Sequence, residues 1–123
     1  MKIRIKDNSI RLRLTKTDVD DLRNKHVVAC RTVISKKKLF QYELRILKDA
    51  TKISAAFGNG KITLTLSPEI AHVLTETNEI TVKGEQNNGS NEKLSLLIEK
   101  DLQCLDETEE DQSDMYDNPN SAC

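Results

Sequence analysis

The chain has 123 residues, enough for one hydrophobic core and too few for two. Aromatic residues make up only 3% of it, so a core here has to be built from Ile, Leu and Val. The net charge of −1 excludes a uniformly basic protein but hides an asymmetry: residues 1–100 hold 19 basic and 12 acidic side chains, a net +7, while residues 101–123 hold eight acids and no Lys or Arg.

The opening stretch "MKIRIKDNSI" has neither an apolar run nor a small-residue cleavage site, and so does not read as a signal peptide. No segment approaches the ~18 apolar residues of a spanning helix, which predicts no membrane partner. The expected location is the cytosol, where Cys30, Cys104 and Cys123 would be kept reduced.

In chain order, "KIRIK" and "SIRLRL" alternate apolar and polar residues, the period of a half-buried strand, with Asp7-Asn8 as the turn between them. Thr15 then stands as a helix N-cap, Asp18 follows in the first turn, and Val19 and Leu22 supply a short apolar stripe. Two further strands follow in "HVVACRTVI" and "LFQYELRIL", turning at Lys36, Lys37 and Lys38; His26 is expected where the first of them begins. The second half repeats the scheme. "KISAAFGNG" and "KITLTL" flank the strong turn Gly58-Asn59-Gly60, and Ser67 and Pro68 open a helix with Ile70, Val73 and Leu74 on its stripe. "EITVKGE" and "KLSLLIEKDL" close the series around "QNNGSNE".

Aligning residues 9–22 with residues 61–74 sets Ile10, Leu12 and Leu14 on Ile62, Leu64 and Leu66. The expected fold class is therefore α+β and mainly antiparallel β. Two ββαββ repeats, about 1–49 and 50–105, form one domain as a small barrel or a pair of packed sheets with two short helices. Residues 106–123 form an acidic C-terminal tail.

The halves differ in charge. Outward positions of the second hairpin are Thr63 and Thr65, whereas the first carries Arg11 and Arg13 beside Lys2, Arg4 and Lys6. Cations packed that closely repel unless an anion or salt covers them, and this makes the five a candidate anion-binding surface. The bland alternative is a solvated edge that lysine and arginine keep from pairing with other molecules. Nucleic acid is disfavoured as the anion, since no aromatic residues are interleaved for base stacking. The tethered tail is the nearest anion, at an effective concentration on the order of millimolar. Residues 106–117 are expected to fold over the basic face, with Met115 and Tyr116 as apolar anchors and Asn118-Pro119-Asn120 as the stopping turn. The competing expectation for such a segment is a solvated tail.

Chemistry of other kinds has weaker signals. Cys104, Asp106, Asp111, Asp114 and Cys123 include metal-ligand types, but they lack the short Cys spacing of structural zinc and the glycine of a calcium loop. A Cys104–Cys123 disulfide would be transient in a reducing compartment. His26 and His72 stand near no recognisable nucleophile, and no glycine-rich phosphate loop occurs. No cofactor and no catalytic residue is predicted.

"MKIRI", "SIRLRLTKTDV", "GKITLTLSPEIA", "EKDLQCL" and the acidic tail with "NPN" together resemble a family of short bacterial proteins classed as a domain of unknown function. The resemblance spans essentially the whole chain and implies a soluble single-domain protein, with no activity attached. The unit "ITLTLSPEIAHVL" is also similar to the half-repeats of AbrB-like swapped-hairpin regulators, a likeness of fold that does not license DNA binding. The residues thus point to a small cytosolic binding or scaffolding module whose partner, a protein or an anionic ligand, they leave open. The alternatives are a metal- or redox-dependent protein using the tail and an AbrB-like regulator.

Overall fold

In a computed structural model the ten elements follow the predicted order: β1 (Lys2–Lys6), β2 (Ser9–Leu14), α1 (Lys16–Lys25), β3 (Val27–Ser35), β4 (Lys38–Ile46), β5 (Ser54–Gly58), β6 (Lys61–Leu66), α2 (Pro68–Glu76), β7 (Thr81–Asn87) and β8 (Lys93–Lys100). The structure describes residues 1–89, 91–103 and 113–117.

The four hairpins are antiparallel, but they combine across the halves. One sheet, here sheet A, has the order β1-β2-β8-β7, and sheet B has the order β3-β4-β6-β5. Each sheet is joined at its centre by a parallel pair, β2 with β8 in A and β4 with β6 in B. The chain changes sheet through its helices: α1 leads from A to B and α2 leads from B back to A. Packed sheets are therefore the form adopted, and the closed barrel is not. Where the edges of β5 and β7 meet, Gln86 stands in for a ladder. Its side-chain oxygen accepts from the Ala55 N–H at 2.7 Å, and its nitrogen donates to the Ala55 carbonyl at 2.9 Å.

Period-two alternation puts one face of each sheet into a shared aliphatic core. Ile10, Leu12 and Leu14 of β2 and Ile62, Leu64 and Leu66 of β6 are all buried in it. Leu12 lies opposite Ile98 and Leu64 opposite Leu44 in the two parallel ladders, and all four are fully buried. The β5–β6 turn needs its sequence: Asn59 and Gly60 both have positive φ, 53° and 74°, as a type I′ turn demands. A Cβ on Gly60 would also stand 2.9 Å from the Leu39 carbonyl oxygen.

Thr15 and Ser67 cap the helices through their hydroxyls. At α1 the cap is a full capping box, with Asp18 Oδ2 accepting from the Thr15 N–H at 2.9 Å. The same oxygen lies 2.8 Å from the Met1 ammonium. Burial works to raise the Asp18 carboxyl, but the hydrogen bonds from Met1 and Thr15 outweigh it and hold the group below the usual carboxylate range. Burial likewise works to lower the Met1 ammonium, and Asp18 and Cys30 outweigh it and raise the group above 8.0. Cys30 is a free thiol, half-buried on the Met1 side of β3. His26 is not the first strand residue; it caps α1 in the left-handed region at φ 63°, where its N–H donates to the Leu22 carbonyl. On α2 the buried stripe is Ala71 and Leu74, and Val73 faces outward.

Candidate anion-binding face

Alternation that turns Ile3, Ile10 and Leu12 toward the core sends the intervening side chains to the opposite face of sheet A. In the β1–β2 hairpin Lys2 is registered with Arg13 and Arg4 with Arg11, and Lys6 closes the turn opposite Ser9. All five predicted cations are thus brought onto one face.

The parallel β2–β8 pairing completes that face from the far end of the chain. Three rows run across the sheet: Lys2, Arg13, Glu99, Thr81; then Arg4, Arg11, Leu97, Lys83; then Lys6, Ser9, Ser95, Glu85. The middle row contains three cations and no carboxylate. Beside it lies an open depression of about 430 Å³, with Ser9 and Ser95 among its lining residues and Arg11, Lys83 and Glu85 around it.

Counter-charges lie toward the β8 C-terminal end. Arg13 Nε donates to Glu99 Oε1 at 2.6 Å, Arg11 Nε lies 3.8 Å from the same oxygen, and Lys2 Nζ lies 3.3 Å from Asp101 Oδ2. Arg4 and Arg11 have further interactions as well. Asp101 is held in place by its N–H, which donates to the Leu14 carbonyl at 2.7 Å. The acidic C-terminal stretch therefore starts at the Lys2–Arg13 margin of the face.

Sheet B provides an internal comparison. The row that corresponds to Arg4, Arg11, Leu97, Lys83 is Ala56, Thr63, Glu43, Ala29. Three cations are replaced by neutral residues, and the central leucine is replaced by a carboxylate. Glu43 is buried on that face and lies 3.1 Å from Lys61 Nζ and 3.4 Å from Arg45 Nε. One backbone plan therefore carries positive charge on sheet A and an internally compensated cluster on sheet B.

Residue spacing had singled out the five cations of the hairpin but missed Lys83, Glu99 and Asp101. Hydrophobic periodicity identifies each strand's outward positions, but not which distant strand lies alongside; Arg13 and Glu99 are 86 residues apart.

Of the tail residues proposed as ligands, Cys104, Asp106, Asp111 and Cys123 lie outside the described residues, and Asp114 is exposed. Among the described residues no group of three or more His, Cys, Asp or Glu is arranged to hold a metal ion. Tyr116 is fully exposed and Met115 half-exposed, so neither is packed as the apolar anchor expected of it. The stopping turn expected at residues 118–120 lies outside the described residues. Among the described residues no helix is long and apolar enough to cross a membrane.

No curated protein and no solved structure matches the chain. A family model does match, over residues 1–120, and it is described as a family of unknown function, DUF7009. The chain belongs to that family.

Proposed function

We propose that this chain is a small cytosolic binding or scaffolding module whose outer face on sheet A takes up an anionic partner, and that its own acidic C-terminal segment competes for that face. The observation that carries this reading is the middle row, where Arg4, Arg11 and Lys83 share one face with no carboxylate among them. Like charges so placed cost stability to the extent that nearby anions, such as Glu99 beside Arg11, do not offset them. The counterpart row in sheet B, with Ala56, Thr63 and Ala29 in place of the three cations, indicates that the backbone plan does not require them. The Asp101 anchor supports the competition, because it starts the acidic segment at the edge of the cations. The matching registers of the two sheets support descent from a duplicated ββαββ unit, one copy of which gained charge on its first hairpin.

The test is elution from a heparin column in a salt gradient. The comparison is the full chain against a variant with Asp106, Glu107, Glu109, Glu110, Asp111, Asp114 and Asp117 changed to their amides. Neutralising the tail is expected to raise the eluting salt. Adding Arg4→Gln, Arg11→Gln and Lys83→Gln should abolish the gain, whereas Lys16→Gln, Lys48→Gln and Lys52→Gln, which change the net charge equally, should preserve most of it. Equal losses from both sets would refute a localised face.

A further inference from the structure

A second feature lies on sheet B, in the sheet that does not carry the basic face. The β3–β4 hairpin is longer than the sheet that supports it. The β4–β6 ladder begins at Gln41 opposite Lys61, so residues 38–40 of β4 have no β6 partner. Beyond that rung the hairpin is a two-stranded ribbon: Thr32 pairs with Phe40, Val33 with Leu39 and Ser35 with Lys38. The register slips between Val33 and Ser35, which leaves Ile34 in a bulge.

The composition of this ribbon is unusual for a free edge. Val33 is 64% exposed, Ile34 67% and Leu39 39%. Next to them Lys36 and Lys37 form the turn, with Lys37 at φ 61°, and Lys38 opens β4 opposite Ser35. Arg31 adds a fourth exposed cation, and no acidic residue occurs between Asp21 and Glu43. A ribbon that only had to avoid strand pairing would need the lysines and the bulge but not three exposed aliphatic residues. A projecting tip of aliphatic side chains and lysines is suited to a surface that accepts apolar groups at shallow depth and offers negative charge around them. The long lysine stems allow the ammonium groups to reach that charge while the Val33–Leu39 pair enters below it.

We propose that the β3–β4 tip docks the protein on an anionic lipid surface, with Val33, Ile34 and Leu39 entering the headgroup boundary and Arg31, Lys36, Lys37 and Lys38 contacting lipid phosphates. Three short aliphatic side chains bury too little area to anchor the chain alone, so attachment is reversible and needs the negative charge.

The experiment is co-sedimentation of the full chain with vesicles of phosphatidylcholine alone and of an equal mixture of phosphatidylcholine and phosphatidylglycerol. Binding is expected to the mixed vesicles, weakly or not at all to the neutral ones, and to fall with added salt. Replacing Lys36, Lys37 and Lys38 together by Gln should lower partitioning by about a hundredfold, at roughly fivefold for each lysine near the surface. Val33→Ser with Ile34→Ser should lower it as well, with no loss of melting temperature because both side chains are exposed in the free protein. Lys48→Gln with Lys52→Gln should leave it within about twofold, since both are exposed and follow the end of β4 that lies away from the tip. Three results would overturn the proposal: no binding to mixed vesicles, binding indifferent to Val33 and Ile34, or polyglutamate captured through the same lysines as tightly as lipid. The last would identify an acidic polypeptide as the partner.

Discussion

Asp18→Asn tests how the start of the chain is held. Asp18 Oδ2 accepts from the Thr15 N–H at 2.9 Å and from the Thr15 hydroxyl at 2.9 Å, and it pairs with the Met1 ammonium at 2.8 Å. Asparagine is nearly isosteric and keeps an oxygen acceptor, so much of the cap, about 1 kcal/mol, survives. The charge-assisted bond to Met1 does not, and such bonds contribute about 1.5–3 kcal/mol. The Asp18 side chain is only 14% exposed, so solvent screening removes little of that, and the expected loss at pH 7 is about 2 kcal/mol. The pH dependence gives the sharper test. Asp18 titrates below 3.8 in the folded chain, so its stabilisation is present above that value and fades as pH falls through the lower folded value. The Met1 ammonium titrates above 8.0 in the folded chain, so its stabilisation is complete below 8.0 and is lost as pH rises through the raised value. Urea unfolding followed by circular dichroism from about pH 3 to about pH 10 should therefore show a gap between parent and variant that is widest near neutrality and narrows toward both ends. A gap of constant size across that range would mean that the ion pair contributes nothing and that Asp18 acts only as a cap.

Three further substitutions probe the frame. Leu12→Ala and Leu64→Ala each remove a fully buried side chain from the centre of a parallel ladder and should each cost about 2–5 kcal/mol in urea unfolding, with similar values for the two; a near-neutral result at either site would remove it from the core. Gly60→Ala combines a positive φ with a Cβ 2.9 Å from a backbone oxygen, so it should cost more than the ~1 kcal/mol of a simple left-handed alanine, measured as a fall in melting temperature.

Much of the frame was legible because it is local. "SIRLRL" and "KITLTL" alternate strictly, Thr15 and Ser67 are hydroxyl caps followed by early acids, and Asn59-Gly60 is a turn that few other residue pairs would form. What was hidden is non-local. Strands adjacent in sequence announce their antiparallel pairing, but nothing in "KLSLLIEK" says that it will lie parallel to "SIRLRL". That register depends on both helices carrying the chain between sheets and on burying two apolar faces together. The consequence reaches the candidate site. Lys83 joins Arg4 and Arg11, and Glu99 neutralises Arg13, only through the β2–β8 and β7–β8 registers. Glu43 likewise reads as an outward strand residue in "LFQYELRIL" and is buried because Lys61 and Arg45 close around it.

The claim that the acidic end of the chain competes for the sheet A cations is tested most directly by NMR on the full chain, comparing the parent with the variant whose seven tail acids from Asp106 to Asp117 are amides. The amide signals of β1, β2 and β8 and the Nε–H signals of Arg4, Arg11 and Arg13 should move, those of β3, β5 and β6 should stay, and the shifts should shrink as salt is added. Unmoved arginine signals, or changes concentrated on sheet B, would contradict it.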